Sequence, residues 1–279
     1  MPGVKNSWHE SSVEIPSGAL RVQEQGEGPG LIWSHVLLHP IALEELTPRR
    51  EFIEGMEGRR VVRYDARGHG GSAAGRNDAA NRWDQLGADL LELASALEIE
   101  RFVAAGASMG VAASLRAALL APERIAALLL LIPPTAWESR PAQAGLYRAM
   151  AHILDEKGTV AVAKAVEETL RDQPIAPGFE PAQEALYEAL RAWDPPALGH
   201  VLRGAADSDL PDPERLTEID APALIVAVRD DPGHPLSTAE ELAERMPLAE
   251  LRVVDTLAEI EEIRASTTRF LGELASAGC

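Results

Sequence analysis

The stretch that decides the fold is RFVAAGASMGVAASLRAALL, residues 101–120. Its first part is a short apolar run typical of a buried strand, and its last part has the apolar spacing of a helix. Between them stands Gly-x-Ser-x-Gly, Gly106–Gly110, a pattern typical of a serine nucleophile on a sharp strand-to-helix turn. The small residues of this pattern allow the two backbones to approach each other. We therefore predict that Ser108 is a nucleophile. The alternative is that it only caps a helix beginning at Met109.

The composition indicates one sizeable globular domain. The chain has 279 residues, of which 46% are hydrophobic and 25% charged, an ordinary balance for a folded protein. Its 26 basic and 44 acidic residues give a net charge of −18. A surface this acidic repels nucleic acid and anionic lipid, so neither is expected as a partner. The single cysteine, Cys279, excludes an intrachain disulfide and a cysteine-based zinc site.

Targeting and cofactor motifs are not evident in the sequence. The N-terminal MPGVKNSWHESS lacks the apolar centre of a signal peptide, and no apolar run approaches the ~20 residues of a membrane span. The glycines of RGHGGS form no phosphate-binding motif with a following lysine. We expect a cytoplasmic protein, without a metal or other cofactor, that acts on a small-molecule substrate. A homodimer is left open.

Strand-like runs and helical segments alternate along the chain. A hairpin and a third strand are predicted within residues 11–36, and five further strands at RRVVRYDA, RFVAAGA, IAALLLLI, PALIVAVRD and AELRVVDT. Apolar strands separated by amphipathic helices imply a parallel sheet covered on both faces. Residues 134–218 contain no strand-like run, which predicts a helical cap over the carboxyl edge of the sheet. Residues 1–133 and 219–279 would then form the core.

Several motifs in order resemble the α/β-hydrolase superfamily. They are SHVLLHP, DARGHGGS, GASMG, the helical insertion and VRDDPGHP, and the resemblance runs from about Val13 to Leu274. Among capped members, the chain is similar to the branch that includes enol-lactone hydrolases, epoxide hydrolases and haloalkane dehalogenases. The resemblance implies an α/β-hydrolase fold, with a mostly parallel eight-stranded sheet, helices on both faces and a helical cap. His69, in the glycine-rich turn DARGHGGS, is interpreted as structural.

The resemblance also implies roles for individual residues. Ser108 matches the family's nucleophile, and a serine there implies ester or lactone hydrolysis rather than epoxide hydrolysis or dehalogenation. The family's His-Gly oxyanion loop falls on His35-Val36, so the amides of Leu37 and Met109 would form the oxyanion hole. Val36 replaces the family's glycine, and a β-branched residue narrows the backbone conformations available to this loop.

Two adjacent aspartates follow the predicted seventh strand. The family's acid lies in a pattern of the kind D-x-x-x-P, which Asp231 and Pro235 match. Asp230 is the neighbour that could take its place, and both aspartates could also serve only to start a turn. We predict that Asp231 is the acid.

The general base departs from the family pattern. The family carries a histidine in a loop after the eighth strand, whereas here ELRVVDT runs directly into LAEIEEIR, with Thr256 and Leu257 in place of the longer loop. His234 lies three residues after Asp231, and Pro235 biases it toward an extended backbone. We predict that His234 is the substitute base.

Together these residues predict a hydrolase that cleaves an ester, thioester or lactone of a small apolar substrate. For the base, His35 or His39 beside the oxyanion loop is an alternative to His234, as is the absence of any base. Without a base a serine hydroxyl is a weak nucleophile. Two other functions therefore stay open: a lyase, isomerase or cyclase in which the serine is not acylated, and a non-catalytic protein that binds a small ligand.

Overall fold

The predicted sheet of eight strands is present in the structure, a computed structural model that describes residues 8–54, 56, 58–171, 178–231, 233–256 and 259–276. The strand order is β1-β2-β4-β3-β5-β6-β7-β8. β2 pairs antiparallel with β1 and β4, and the other neighbouring strands are parallel. The strands are β1 (His9–Ile15), β2 (Gly18–Gln25), β3 (Gly30–Ser34), β4 (Arg60–Tyr64), β5 (Phe102–Ala107), β6 (Ile125–Leu131), β7 (Ala223–Val228) and β8 (Ala249–Val254).

The α-helices lie mainly in the connections between parallel strands. They are α1 (Ile41–Glu44), α2 (Arg49–Glu54), α3 (Trp83–Ala96), α4 (Met109–Leu120), α5 (Arg140–Leu170), α6 (Glu180–Ala192), α7 (Pro195–Ala206), α8 (Pro213–Leu216), α9 (Leu236–Arg245) and α10 (Ile260–Ser276). In the part of the chain that the structure describes, no helix is both long enough and apolar enough to cross a membrane.

Helices cover both faces of the sheet because its central strands are apolar on both sides. All six residues of β5 are buried. On one face Val103 of β5 belongs to the same apolar cluster as Phe270 of α10. On the other face Ala104 shares a cluster with Leu90 of α3 and Leu115 of α4. This double burial fixes β5 at the centre of the domain, so the turn that follows β5 has a rigid base.

The described residues between β6 and β7 form helices and no strand, as the sequence predicted. This insertion is fixed to the rest of the molecule near its base. The Arg140 guanidinium of the insertion lies 4.1 Å from the ring centroid of Trp83 in α3. The same side chain donates from Nε to the carbonyl oxygen of Ser208, within the insertion, at 2.7 Å. The division into a cap of residues 134–218 and a core stays a prediction.

Candidate active site

Ser108 stands at the turn between β5 and α4. Its backbone has φ 52° and ψ −110°, which is strained for a residue with a side chain. Such strain is concentrated at functional turns, where the surrounding structure holds it in place. The Ser108 amide donates to the carbonyl oxygen of Leu131 at 3.1 Å, so the turn is tied to β6.

Two glycines let this turn pack against β3. A Cβ atom on Gly110 would lie 2.0 Å from the carbonyl oxygen of Ser34, and one on Gly106 would lie 2.8 Å from the same oxygen. Because a backbone oxygen in a central strand cannot move aside, neither position accepts a side chain. The Ser108 side chain makes no capping hydrogen bond to α4. Its hydroxyl is therefore left for another partner.

That partner is His234, which lies in the loop between β7 and α9. Its Nε2 atom is 2.9 Å from Ser108 Oγ. In this loop the His234 amide donates to the Asp231 carbonyl oxygen at 3.2 Å, and α9 begins at Leu236, directly after Pro235. The structure thus brings together two residues that are 126 positions apart in the sequence.

Asp231 completes a chain of hydrogen bonds. Its Oδ2 atom is 2.9 Å from His234 Nδ1, and its Oδ1 atom accepts from the amides of Gly233 and His234 at 2.9 and 3.2 Å. Partial burial alone would raise the pKa of Asp231, but the His234 ring and these two amides lower it below its usual value. A carboxylate at Oδ2 fixes the proton on Nδ1 and leaves the Nε2 lone pair facing Ser108.

The neighbouring Asp230 is placed differently. It has φ 57°, it is exposed, and among the described contacts the carboxylate on the His234 ring is that of Asp231 and not that of Asp230. Of the two adjacent aspartates, only Asp231 therefore touches the imidazole. Pro232, which follows Asp231 in this loop, lies outside the described residues.

Two backbone amides near Ser108 are available as donors. Within the described chain, neither the Leu37 amide nor the Met109 amide forms a hydrogen bond. Val36 fits in this loop because the residue with positive φ is Leu38, at 63°, and not Val36. The β-branched side chain therefore does not prevent the loop from turning. The assignment of an oxyanion hole to Leu37 and Met109 stays a prediction.

Two buried histidines hold this loop in position. His35 uses both ring nitrogens, Nδ1 at 2.7 Å from the Val36 carbonyl oxygen and Nε2 accepting from the Ala66 amide at 2.8 Å. His69 accepts from the Leu38 amide through Nε2 at 3.3 Å. The His35 ring is thus occupied elsewhere, which disfavours it as the base. The sequence identified His69 as structural but gave no sign of its bond to a residue 31 positions away.

His39 lies beside the same loop but is not the partner of Ser108. Its Nδ1 atom is 3.3 Å from the Leu37 carbonyl oxygen. Burial lowers the pKa of His35 and His39 to about 4 and that of His69 to about 3, so all three rings are neutral near pH 7. Of the other histidines, His200 pairs with Asp78 and His152 is exposed on α5.

We expect the contribution of His69 to stability to decrease on acidification. An unfolded histidine titrates near pH 6.5, whereas folded His69 titrates near 3. The unfolded state therefore binds more protons below about pH 6.5, and stability is lost as the pH falls. Urea unfolding should show that the advantage of the wild type over His69→Gln shrinks by about 1 kcal/mol between pH 7 and 5.5. A pH-independent difference would contradict a buried, neutral His69.

Metal ligands are not gathered at this site. The described residues include no group of three or more histidine, cysteine, aspartate or glutamate side chains that could hold a metal ion. The chemistry that the geometry supports is instead nucleophilic, because a hydroxyl, an imidazole and a carboxylate are hydrogen-bonded in series.

The comparison with protein families places the chain among hydrolases. Residues 55–258 match the family described as serine aminopeptidase, S33, among the hydrolases. The chain belongs to this hydrolase family. The resemblance to the α/β-hydrolase superfamily predicted from the motifs is confirmed.

Curated relatives of this S33 chain are hydrolases. A RutD protein of Rhizobium rhizogenes, named for carbamate hydrolysis, is 29% identical over 228 residues, which cover 76% of this chain and 82% of the relative. The 3-oxoadipate enol-lactonase 2 of Acinetobacter baylyi is 27% identical over 211 residues, or 74% of each chain. Among solved structures, the enol-lactonase of Burkholderia xenovorans has a TM-score of 0.75 at 19% identity and covers 94% of this chain and 100% of its own. At that identity the structural likeness shows the fold alone.

Proposed function

We propose that this hydrolase cleaves an ester, thioester or lactone of a small substrate through Ser108, with His234 as general base and Asp231 as the acid that orients it. The observation that carries the proposal is the 2.9 Å separation between Ser108 Oγ and His234 Nε2, with Asp231 on the other ring nitrogen. A serine hydroxyl becomes a good nucleophile when a positioned base takes its proton. The two relatives named for carbamate hydrolysis and as an enol-lactonase support the proposal, because carbamates and lactones also present an acyl carbon to a nucleophile.

The proposed reaction has two halves. In the first, Ser108 Oγ attacks the acyl carbon while His234 Nε2 takes the hydroxyl proton, and the carbonyl oxygen becomes an oxyanion facing the Leu37 and Met109 amides. The bond to the leaving group breaks, and His234 returns the proton to that group. In the second half, water attacks the acyl-serine with His234 again as the base, which releases the acid and restores Ser108. Asp231 stays ionised and stabilises the imidazolium in each half.

Two other functions were left open by the sequence because the usual histidine is missing after the eighth strand. A lyase, isomerase or cyclase and a ligand-binding protein both tolerate a serine without a base. The hydrogen bond that the Ser108 hydroxyl donates to His234 Nε2 supplies such a base, which supports hydrolysis over either of them. Turnover that survives Ser108→Ala would favour the first, and ligand binding without turnover would favour the second.

Labelling with a fluorophosphonate probe tests the nucleophile directly. We expect wild-type protein to take up one probe per chain on Ser108 and Ser108→Ala to take up none, because the probe reacts only with an activated serine. The exposed Ser95 provides the control, since Ser95→Ala should be labelled like the wild type. Peptide mass spectrometry locates the adduct. Unlabelled wild type, or equal labelling of Ser108→Ala, would overturn the proposal.

A further inference from the structure

Arg49, at the start of α2, is a buried cation whose Nε atom has no hydrogen-bond partner among the described residues. The residue is 5% exposed. Its Nε atom lies 3.5 Å from Glu44 Oε1, which is ion-pair distance but too long for a well-formed hydrogen bond, and Nε has no other partner among the described residues. Guanidinium carries five N–H donors, and a buried donor left unpaired is costly. Such a group points to a ligand that is absent from the free protein.

Glu44 compensates this charge only in part. It is fully buried and accepts a hydrogen bond from Trp33 Nε1 at 2.9 Å, while its Oε1 atom has no hydrogen-bond partner among the described residues. Burial raises the pKa of Glu44 to about 7 despite the opposing charge of Arg49. The charge of Arg49 thus does not fully offset the burial of Glu44, whose carboxyl group takes up a proton more readily than an exposed one.

The Arg49 guanidinium lies between the helical insertion and the loop that carries Leu37. On the insertion side it is 5.2 Å from the ring centroid of Phe179. On the loop side its charge contributes to the lowered pKa of His39, which in turn is within electrostatic reach of His234. That loop follows the carboxyl end of β3, and open α/β sheets bind their ligands at this edge.

These observations identify the kind of ligand group that would stabilise Arg49. The planar guanidinium fork matches a carboxylate through two parallel hydrogen bonds. The overall charge of −18 repels anions at long range. Salt at physiological concentration screens this repulsion beyond about 8 Å, whereas the attraction between a buried cation and an anion in contact with it is screened much less. We propose that Arg49 binds a free carboxylate of the substrate, so that the substrates are esters or lactones that carry a carboxylate in addition to the bond cleaved by Ser108.

This inference rests on the proposed function for the bond that is cleaved. It adds a free carboxylate to the small apolar substrate that the sequence predicts. The competing explanation is that Arg49 serves only as the counter-ion of Glu44. The two explanations differ in their consequences for Glu44→Gln, which keeps the shape of the side chain and its bond to Trp33 but removes a competing anion. If Arg49 binds a carboxylate, the Glu44→Gln variant should bind carboxylate ligands more tightly. If Arg49 is only the counter-ion of Glu44, the affinity for these ligands should not change.

The test measures binding and needs no turnover. In the Ser108→Ala protein, calorimetry compares monomethyl glutarate with dimethyl glutarate, two ligands that differ by one carboxylate, and the succinate and adipate pairs cover other lengths. We expect the monoester of at least one pair to bind about tenfold or more tightly than its diester. Adding Arg49→Met should abolish this preference, Arg49→Lys should keep part of it, and Glu44→Gln should increase it about threefold or more.

The outcomes separate this inference from the proposed function. Equal binding of monoester and diester in every pair, or a preference that survives Arg49→Met, would overturn the role of Arg49. If Arg49→Met does not fold, as thermal unfolding would reveal, Glu44→Gln decides: a stronger preference supports the proposal and an unchanged one overturns it. A carboxylate preference in a protein whose Ser108 fails to react with the fluorophosphonate would leave Arg49 as an anion-binding residue and would reject only the hydrolysis.

Discussion

Replacing His234 with alanine is expected to lower kcat for an activated ester, such as a p-nitrophenyl ester, by about 10³–10⁴-fold. The imidazole is the only group that the structure places at hydrogen-bond distance from Ser108 Oγ among the described side chains. Without it the hydroxyl proton has no acceptor in the attack step, and only the proposed oxyanion donors, the amides of Leu37 and Met109, would remain to stabilise the transition state. Stopped-flow or steady-state release of p-nitrophenol measures the effect.

The matched control for this experiment is His152→Ala. His152 is exposed on α5, so this variant makes the same substitution at a residue that does not contact Ser108. We expect its kcat to remain within about twofold of the wild type, as is usual for surface substitutions. A near-wild-type rate for His234→Ala would remove His234 from the mechanism, and a comparable loss in His39→Gln would transfer the role to His39.

The sheet and its serine turn could be predicted because they depend on local patterns. The Gly-x-Ser-x-Gly sequence lies between an apolar run and a helical one, and Gly110 has no room for a Cβ atom against Ser34. Helices and strands of this kind are encoded by residues that are neighbours in the chain. The long stretch without strand-like runs before β7 likewise predicted the helical insertion.

The base was harder to predict because its identity depends on distances between loops. In the family pattern the histidine follows the eighth strand, where this chain has Thr256, and Leu257 lies outside the described residues. β7 and β6 are neighbours, and so are β6 and β5, so the loop after β7 reaches the turn after β5 across the sheet edge. Sequence spacing placed His234 next to Asp231, but only the fold shows its Nε2 atom at Ser108.

The burial of Arg49 could not be predicted from the sequence. Nothing in the run TPRREF distinguishes Arg49 from the adjacent Arg50, and a charged residue in a helical segment is usually a solvated one. One of the groups around Arg49 in the fold is Phe179 of the insertion, whose ring faces the guanidinium. That contact joins parts of the chain 130 residues apart, so no local pattern could have indicated it.

Replacing Asp231 with asparagine should reduce kcat by about 10³–10⁴-fold while leaving the fold intact. The asparagine amide can donate to His234 Nδ1, which would place the imidazole proton on Nε2 and aim a donor, not an acceptor, at Ser108. The loop itself should persist, because the asparagine oxygen can still accept from the Gly233 and His234 amides that Asp231 now binds at 2.9 and 3.2 Å.

Asp230→Asn is the control for this substitution, since it makes the same chemical change one residue earlier. Asparagine tolerates the positive φ of 57° at that position, and the exposed side chain does not touch the imidazole. We expect Asp230→Asn to keep kcat within about twofold of the wild type. Because the pKa of Asp231 is lowered, wild-type activity should not lose this carboxylate until the pH falls below the usual aspartate range. Equal losses in the two variants would show that the loop, and not the hydrogen bond from His234 to Asp231, limits the reaction.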